Sequence, residues 1–231
     1  MFNTIDASVL EGLAQYESAL VQNAGILVRG YIPAAQDYSG PELKCMTPDT
    51  NTKVGYAITA RVMPNTATPD SMDNDIFYDA VAYSRMPIIV VFQDVEHPPG
   101  RGAVFGDEMA FRLNAIGCRG AVIGGSVRDV SGIANAGLGL WGYSRVPGHG
   151  DYSWLGIGDP VSISGLTIEQ GDILVCDADG ITRVPINSAS EVLEKCRQIK
   201  DKEAETFSYM TDPDFTLEKY EAWKEIRRDP R

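Results

Sequence analysis

The chain has 231 residues, of which 44% are apolar and 23% charged, so a disordered or fibrous protein is excluded. With 20 basic and 32 acidic side chains its formal charge is −12, which argues against nucleic acid or an anionic membrane as partner, because phosphate binding needs a basic face. The first thirty residues carry early acids and no long apolar run, and no apolar string approaches a membrane span, so the chain reads as cytoplasmic.

In chain order, residues 5–24 show apolar positions at helical spacing (Leu10, Leu13, Leu20, Val21), with a stop at Asn23-Ala24-Gly25. Residues 31–52 are polar loop, 53–63 a strand, 64–75 a second loop and 76–84 a short helix. Pro87–Gln93 is a β-branched run that suits a strand buried on both faces. A turn over 94–101 leads to a helix over 106–117 closed by Gly117 and to strand Gly120–Gly124, with Gly124-Gly125-Ser126 as a tight turn at its end. A short helix over 128–136, a strand over 138–143 and a Gly-rich loop over 147–158 follow. Strands over 160–163, 172–176 and 180–185 come next, the last two forming a hairpin across Asp177–Gly180, and then a long charged helix over 189–207. The order predicts an α/β fold: one layered α/β/α-type domain with a mixed central sheet over residues 1–210. Residues 211–231 read as a C-terminal arm or helix that packs on the body or on a neighbouring subunit.

Several chemistries find no support. No dinucleotide or P-loop glycine motif, GxSxG elbow or HExxH pair is present. The four cysteines, Cys45, Cys118, Cys176 and Cys196, form no CxxC pair and read as reduced, buried small hydrophobes. The strands over 85–92, 120–124, 172–176 and 180–185 hold no lysine for imine catalysis. Only His97 and His149 occur, so a metal would rest on carboxylates and water, as Mg²⁺ or Mn²⁺ does.

The densest segment is Gly106–Asp129. A glycine and two acids open one helix, whose free N–H groups suit a carboxylate, and Arg128-Asp129 open the next. Adjacent βα units set both helix starts along one crevice, where an arginine grips a carboxylate and an aspartate holds a divalent cation. The plainer alternative is a surface ion pair with helix-capping acids. His149 could line the mouth of such a site, although a loop histidine without function is the commoner case. Asp177 and Asp179 suit a turn, and Trp141, Tyr143, Tyr152 and Trp154 suit core or interface.

Three stretches carry a family resemblance: Gly117–Asp129 with Gly137-Leu138-Gly139-Leu140-Trp141, then Lys53–Ala60, and Gln170–Gly180. Their ordered succession resembles the RraA-like family, which holds the regulator of ribonuclease activity A and 4-hydroxy-4-methyl-2-oxoglutarate aldolases, class II pyruvate aldolases with oxaloacetate decarboxylase activity. The resemblance implies an RraA-like, swivelling-domain-like fold and a divalent-metal-dependent lyase. Such an enzyme cleaves a 4-hydroxy-2-oxo acid to pyruvate, decarboxylates oxaloacetate, or both, through a metal-stabilised enolate. It further implies that Arg128 binds the pyruvyl carboxylate and keto oxygen, Asp129 binds Mg²⁺ (or Mn²⁺), and Asp107, Glu108 and Met109 offer backbone N–H groups to the substrate. By the same resemblance Asp107 supports metal-bound water, Glu203 arrives from an adjacent subunit, and the chain assembles as a homotrimer or homohexamer.

Three positions depart from the family pattern. Gly124-Gly125 stands for Asp-Gly, Gly132 for an acid, and Glu17-Ser18-Ala19-Leu20 for S-D-A-L. Two other readings therefore stay open. One is a non-catalytic protein-binding regulator. The other is a divergent lyase or isomerase whose substrate is set by the loops over 31–52 and 94–105.

Overall fold

The computed structural model describes residues 5–47 and 51–226, so positions 48–50 of the first polar loop and the last five residues of the arm lie outside the described residues. Helices α1 (Ala7–Leu13) and α2 (Ser18–Arg29) open the chain where the sequence suggests one helix over 5–24. The break follows from an anchor: Ser18 Oγ donates to Asp177 Oδ1 at 2.7 Å, and the Ser18 N–H donates to the other oxygen. Helix α2 passes the expected stop and ends at Gly30, whose φ of 75° suits a residue without a Cβ.

Next come β1 (Lys44–Cys45), β2 (Lys53–Met63), α3 (Asn74–Ala82), β3 (Ile88–Asp94), β4 (Ala103–Phe105), α4 (Asp107–Ala115), β5 (Cys118–Val127), α5 (Val130–Asn135) and β6 (Gly139–Arg145). Then follow β7 (Ser153–Ile157), β8 (Val161–Ile163), β9 (Leu166–Ile168), β10 (Ile173–Cys176), β11 (Ile181–Val184), α6 (Ala189–Met210) and α7 (Leu217–Ile226). A nine-stranded mixed sheet runs β1-β6-β5-β3-β2-β10-β11, with β4 on β5 and β7 on β2. Strands β2, β3, β5 and β6 run parallel to one another, β4 joins β5 in parallel, and β1, β7, β10 and β11 pair antiparallel. The α/β class and the mixed central sheet are as expected, and so is the hairpin across Asp177–Gly180.

Residue alternation decides which face each strand position serves. Ile88, Val90 and Phe92 of β3 join Ile58, Ala60 and Val62 of β2 in a core shared with α3, α4 and α5. Val54, Tyr56, Ile173 and Val175 pack under α1, α2 and α6 on that same face. Ile89, Val91, Val122 and Leu174 point the other way, where the β8–β9 hairpin and Trp141 cover them.

Two expectations fail for packing reasons. Gly124-Gly125-Ser126 is no turn: β5 continues to Val127. A Cβ on Gly124 would stand 2.4 Å from Ile163 Cδ1, and one on Gly125 2.9 Å from Asp94 Cβ, so these glycines mark close approach of neighbours. The Gly-rich stretch 147–158 hides β7, whose Trp154 stacks on Phe77 with centroids 4.6 Å apart. At the C-terminus α6 runs to Met210, and α7 buries none of its residues.

Candidate active site

The site grows from the end of β5. Phe105 pairs beside Val127, and the Arg128 N–H donates to the Phe105 carbonyl at 3.0 Å. This seats Gly106, the residue before α4, against the two charged side chains that follow β5. A Cβ on Gly106 would stand 3.1 Å from Asp129 Oδ2 and 3.2 Å from Arg128 Nε.

Asp129 occupies the N-cap position of α5, where an aspartate ordinarily bonds to the first-turn N–H groups. Here it makes no side-chain cap bond, and its backbone is left-handed with φ 56°. Aspartate tolerates that conformation better than most residues, yet it is sparsely populated and collects at functional sites. The freed carboxylate turns to Arg128, with Oδ2 3.1 Å from Nε, and the two side chains remain 39% and 41% exposed. The pair is accessible to a ligand.

A cleft of about 480 Å³ runs from Arg128 along the start of α4. Gly106, Asp107, Glu108 and Met109 line it, and Gly106 gives α4 no side-chain cap, so the helix presents its N-terminal N–H groups and positive dipole end there. Tyr78, Tyr152 and Trp154 form the aromatic wall and Met72 adds to it. Tyr152 donates its hydroxyl to the Val104 carbonyl at 3.2 Å, and burial pushes its pKa well above that of a free phenol. Arg112, one turn into α4, lies 3.5 Å from the Tyr78 ring centroid and 3.4 Å from Asp75. His149 lines the same cleft. On the other side of Arg128 lies a second hollow of about 470 Å³, lined by Asp129, Val130, Ser131 and Arg145 as well.

The structure thus brings together Arg128, Asp129, Asp107, Glu108 and Met109. It does not bring Glu203 to the cleft of its own chain: Glu203 lies in the distal part of α6, whose buried residues, Ala189, Val192, Leu193 and Cys196, all precede it. The described part of the loop over 31–52 lies elsewhere, with Tyr38 bridging to Thr182 and Ser164 Oγ donating to Glu42. Ser71 and Met72 of the second loop and Asn74 at the start of α3 line the cleft instead. Sequence reading missed these three residues, Tyr78 and Arg112; the Arg112–Asp75 pair spans 37 residues and left no local signal.

Among the described residues no three His, Cys, Asp or Glu side chains converge as a closed metal cage. The oxygen donors here are the carboxylates of Asp129 and Asp107 at two neighbouring helix starts. An accessible set of one or two carboxylates suits Mg²⁺ or Mn²⁺, which retain several waters, and does not suit zinc. The residues present fit a hard divalent cation.

Comparison with known proteins bears on the family and the fold. A family model described as RraA-like, Aldolase/RraA, matches residues 29–183. An uncharacterized protein of Methanocaldococcus jannaschii is 34% identical over 150 residues, 64% of this chain and 68% of its own length. A protein of Halalkalibacterium halodurans provisionally named 4-hydroxy-4-methyl-2-oxoglutarate aldolase is 31% identical over 119 residues, 50% of this chain and 55% of its own length. The chain therefore spans little more than half of that relative. Among solved structures, an uncharacterized protein from Pseudomonas syringae pv. tomato superposes with a TM-score of 0.74 at 25% identity, covering 95% of this chain and 100% of its own. Streptomyces coelicolor RraAS2, an unusual member of the RNase ES inhibitor RraA protein family, gives 0.69 at 23% identity, covering 91% and 100%, and speaks to the fold alone.

Proposed function

The chain belongs to the RraA-like family, and from that premise we propose that it is a divalent-cation-dependent lyase that breaks the C3–C4 bond of a 2-oxo acid and releases pyruvate. The carrying observation is the left-handed Asp129, which gives up its helix cap and sets its carboxylate beside Arg128, the residue that lines both the α4 cleft and the second hollow.

In this reading Arg128 binds the substrate carboxylate through its planar fork of donors. The N–H groups of Asp107, Glu108 and Met109 face the 2-oxo oxygen, and as the bond breaks they meet the negative charge that gathers there. These donors are fixed by α4 before substrate arrives, so no reorganisation opposes the reaction. Asp129, supported by Asp107, would hold Mg²⁺ or Mn²⁺. When bound, the cation supplies Lewis-acid stabilisation of the enolate. The aromatic wall of Tyr78, Tyr152 and Trp154 limits water around the C4 end.

Retro-aldol cleavage of a 4-hydroxy-2-oxo acid and decarboxylation of oxaloacetate pass through the same enolate, so one site serves both. The working unit is a homo-oligomer, a trimer or hexamer, in which the partner subunit's Glu203 completes the second hollow. Two features support this: Glu203 stands away from the cleft of its own chain, and α7 buries nothing. The test is pyruvate formation from oxaloacetate and from 4-hydroxy-4-methyl-2-oxoglutarate, with Mg²⁺ and with EDTA. Metal-dependent turnover of at least one supports the reading; silence on a panel of 2-oxo acids favours a non-catalytic regulator.

A further inference from the structure

Cleavage of a 4-hydroxy-2-oxo acid needs a base for the C4 hydroxyl, and several of the groups considered so far are otherwise engaged. Asp129 is paired with Arg128, Asp107 packs against Gly132, and the Tyr152 hydroxyl is donated to a carbonyl. The Glu108 carboxylate and the His149 ring also line the cleft, and of the two it is His149 whose loop and ring contacts fix a lone pair.

Its loop is held from both sides. The Gly148 carbonyl accepts the Ala103 N–H at 2.9 Å, next to the strand that leads into α4. The Gly150 N–H donates to the Pro64 carbonyl at 3.1 Å and to Asn65 Oδ1 at 3.0 Å. Asn65 is fixed in turn by Glu96, which accepts its N–H at 2.7 Å and its Nδ2 at 2.9 Å. A Cβ at Gly150 would stand 3.0 Å from the Asn65 carbonyl oxygen, so the close approach calls for glycine. The His149 ring meets Tyr152 edge-on, with centroids 6.4 Å apart.

The ring's own contact sets its tautomer. His149 Nδ1 lies 2.7 Å from the Gly150 carbonyl oxygen, which only accepts, so Nδ1 carries the hydrogen. In the neutral ring the lone pair is then on Nε2, the form a general base requires.

We infer that His149 is the general base of the cleavage step, an assignment that rests on the lyase reading above. Nε2 takes the C4 hydroxyl proton, and the oxygen's electron pair forms the new carbonyl. The C3–C4 bond breaks, its pair passing through C3 to the C2 oxygen as the pyruvate enolate. The proton on Nε2 then goes to C3, giving pyruvate and restoring the base. Oxaloacetate carries no 4-hydroxyl: its C3–C4 pair enters the same enolate as CO₂ leaves, and water protonates C3.

The two substrates therefore separate the role. His149→Asn, which keeps an N–H donor near the Nδ1 position, and His149→Gln are assayed with Mg²⁺ on 4-hydroxy-4-methyl-2-oxoglutarate and on oxaloacetate. Cleavage of the hydroxy acid should fall roughly 10²–10⁴-fold, and decarboxylation by less than about tenfold. Equal losses on both substrates, or no loss on either, overturn the assignment. A wild-type protein that decarboxylates but cleaves no hydroxy acid overturns it while leaving the lyase reading intact; a wild type silent on both overturns the two together. Independently of activity, ¹⁵N NMR of the histidine ring, assigned with His149→Asn, should show the Nδ1–H tautomer, and the Nε2–H tautomer contradicts the base role.

Discussion

The carboxylate of Asp107 rests on Gly132: a Cβ built on Gly132 would stand 2.6 Å from both Cβ and Oδ2 of Asp107. The two residues open neighbouring helices, α4 and α5, so this contact sets how close the two helix starts approach. It also gives a physical reason for glycine where the family pattern carries an acid, because any side chain at 132 displaces Asp107.

Gly132→Ala should therefore act through Asp107. We expect a destabilisation of about 1–3 kcal/mol, as overpacking costs, together with lower lyase activity. The check is a double-mutant cycle: with Asp107→Gly already present, which removes the Cβ as well as the carboxylate, Gly132→Ala should cost little more. Additive losses contradict the coupling.

Arg128→Lys keeps the charge and loses the fork. A point-charge ammonium cannot match a carboxylate with two parallel bonds, so kcat/KM for oxaloacetate should fall roughly ten- to a hundredfold, mainly through KM. Steady-state kinetics at fixed Mg²⁺ measures it, and an unchanged KM contradicts the assigned role.

Much of the scaffold was legible because its signals are local. The β-branched run at Ile88–Phe92 and the helix-and-glycine punctuation around Gly117 and Gly137 suffice to read the βα units, and Arg128-Asp129 stands where the second unit opens. The rest depended on contacts distant in sequence. Gly124 and Gly125 look like a turn until Ile163 and Asp94 are set beside them. Trp154 sits in a stretch whose glycines conceal a strand, and only Phe77, across the fold, shows why it is buried. The one-helix reading of 5–24 fails because Asp177 reaches Ser18 from another part of the chain.

The thiols offer a direct check of the core. Burial pushes Cys118 up to about 12 and Cys196 up to about 11, holds Cys176 well above the ordinary thiol range, and raises half-buried Cys45 too. A raised pKa leaves less thiolate at any pH below it, and the thiolate is the nucleophile. With a disulfide reagent at pH 8, the native protein should show at most one accessible thiol, Cys45, and all four after denaturation. Rapid labelling of Cys118 or Cys176 in the folded protein contradicts the packing described.

The arm predicts an assembly. Helix α7 buries no residue, while Tyr209 stacks on Trp223 with centroids 4.9 Å apart. A ten-residue helix has little stability of its own in water. Light scattering should give a mass of three or six times 25.1 kDa, and deletion of residues 211–231 should reduce it together with lyase activity. A monomer at every concentration contradicts the shared site.

The central claim is that Arg128 and Asp129 together hold a chelating 2-oxo acid and a divalent cation. Crystals grown with Mn²⁺ and oxalate, a stable mimic of the pyruvate enolate, test it most directly. We expect an anomalous peak within bonding distance of an Asp129 carboxylate oxygen and oxalate oxygens on the Arg128 guanidinium, with the peak absent in Asp129→Asn, which tolerates the same left-handed backbone. Manganese bound elsewhere, or oxalate missing from the start of α4 while Arg128 and Asp129 keep their mutual ion pair, would contradict the account.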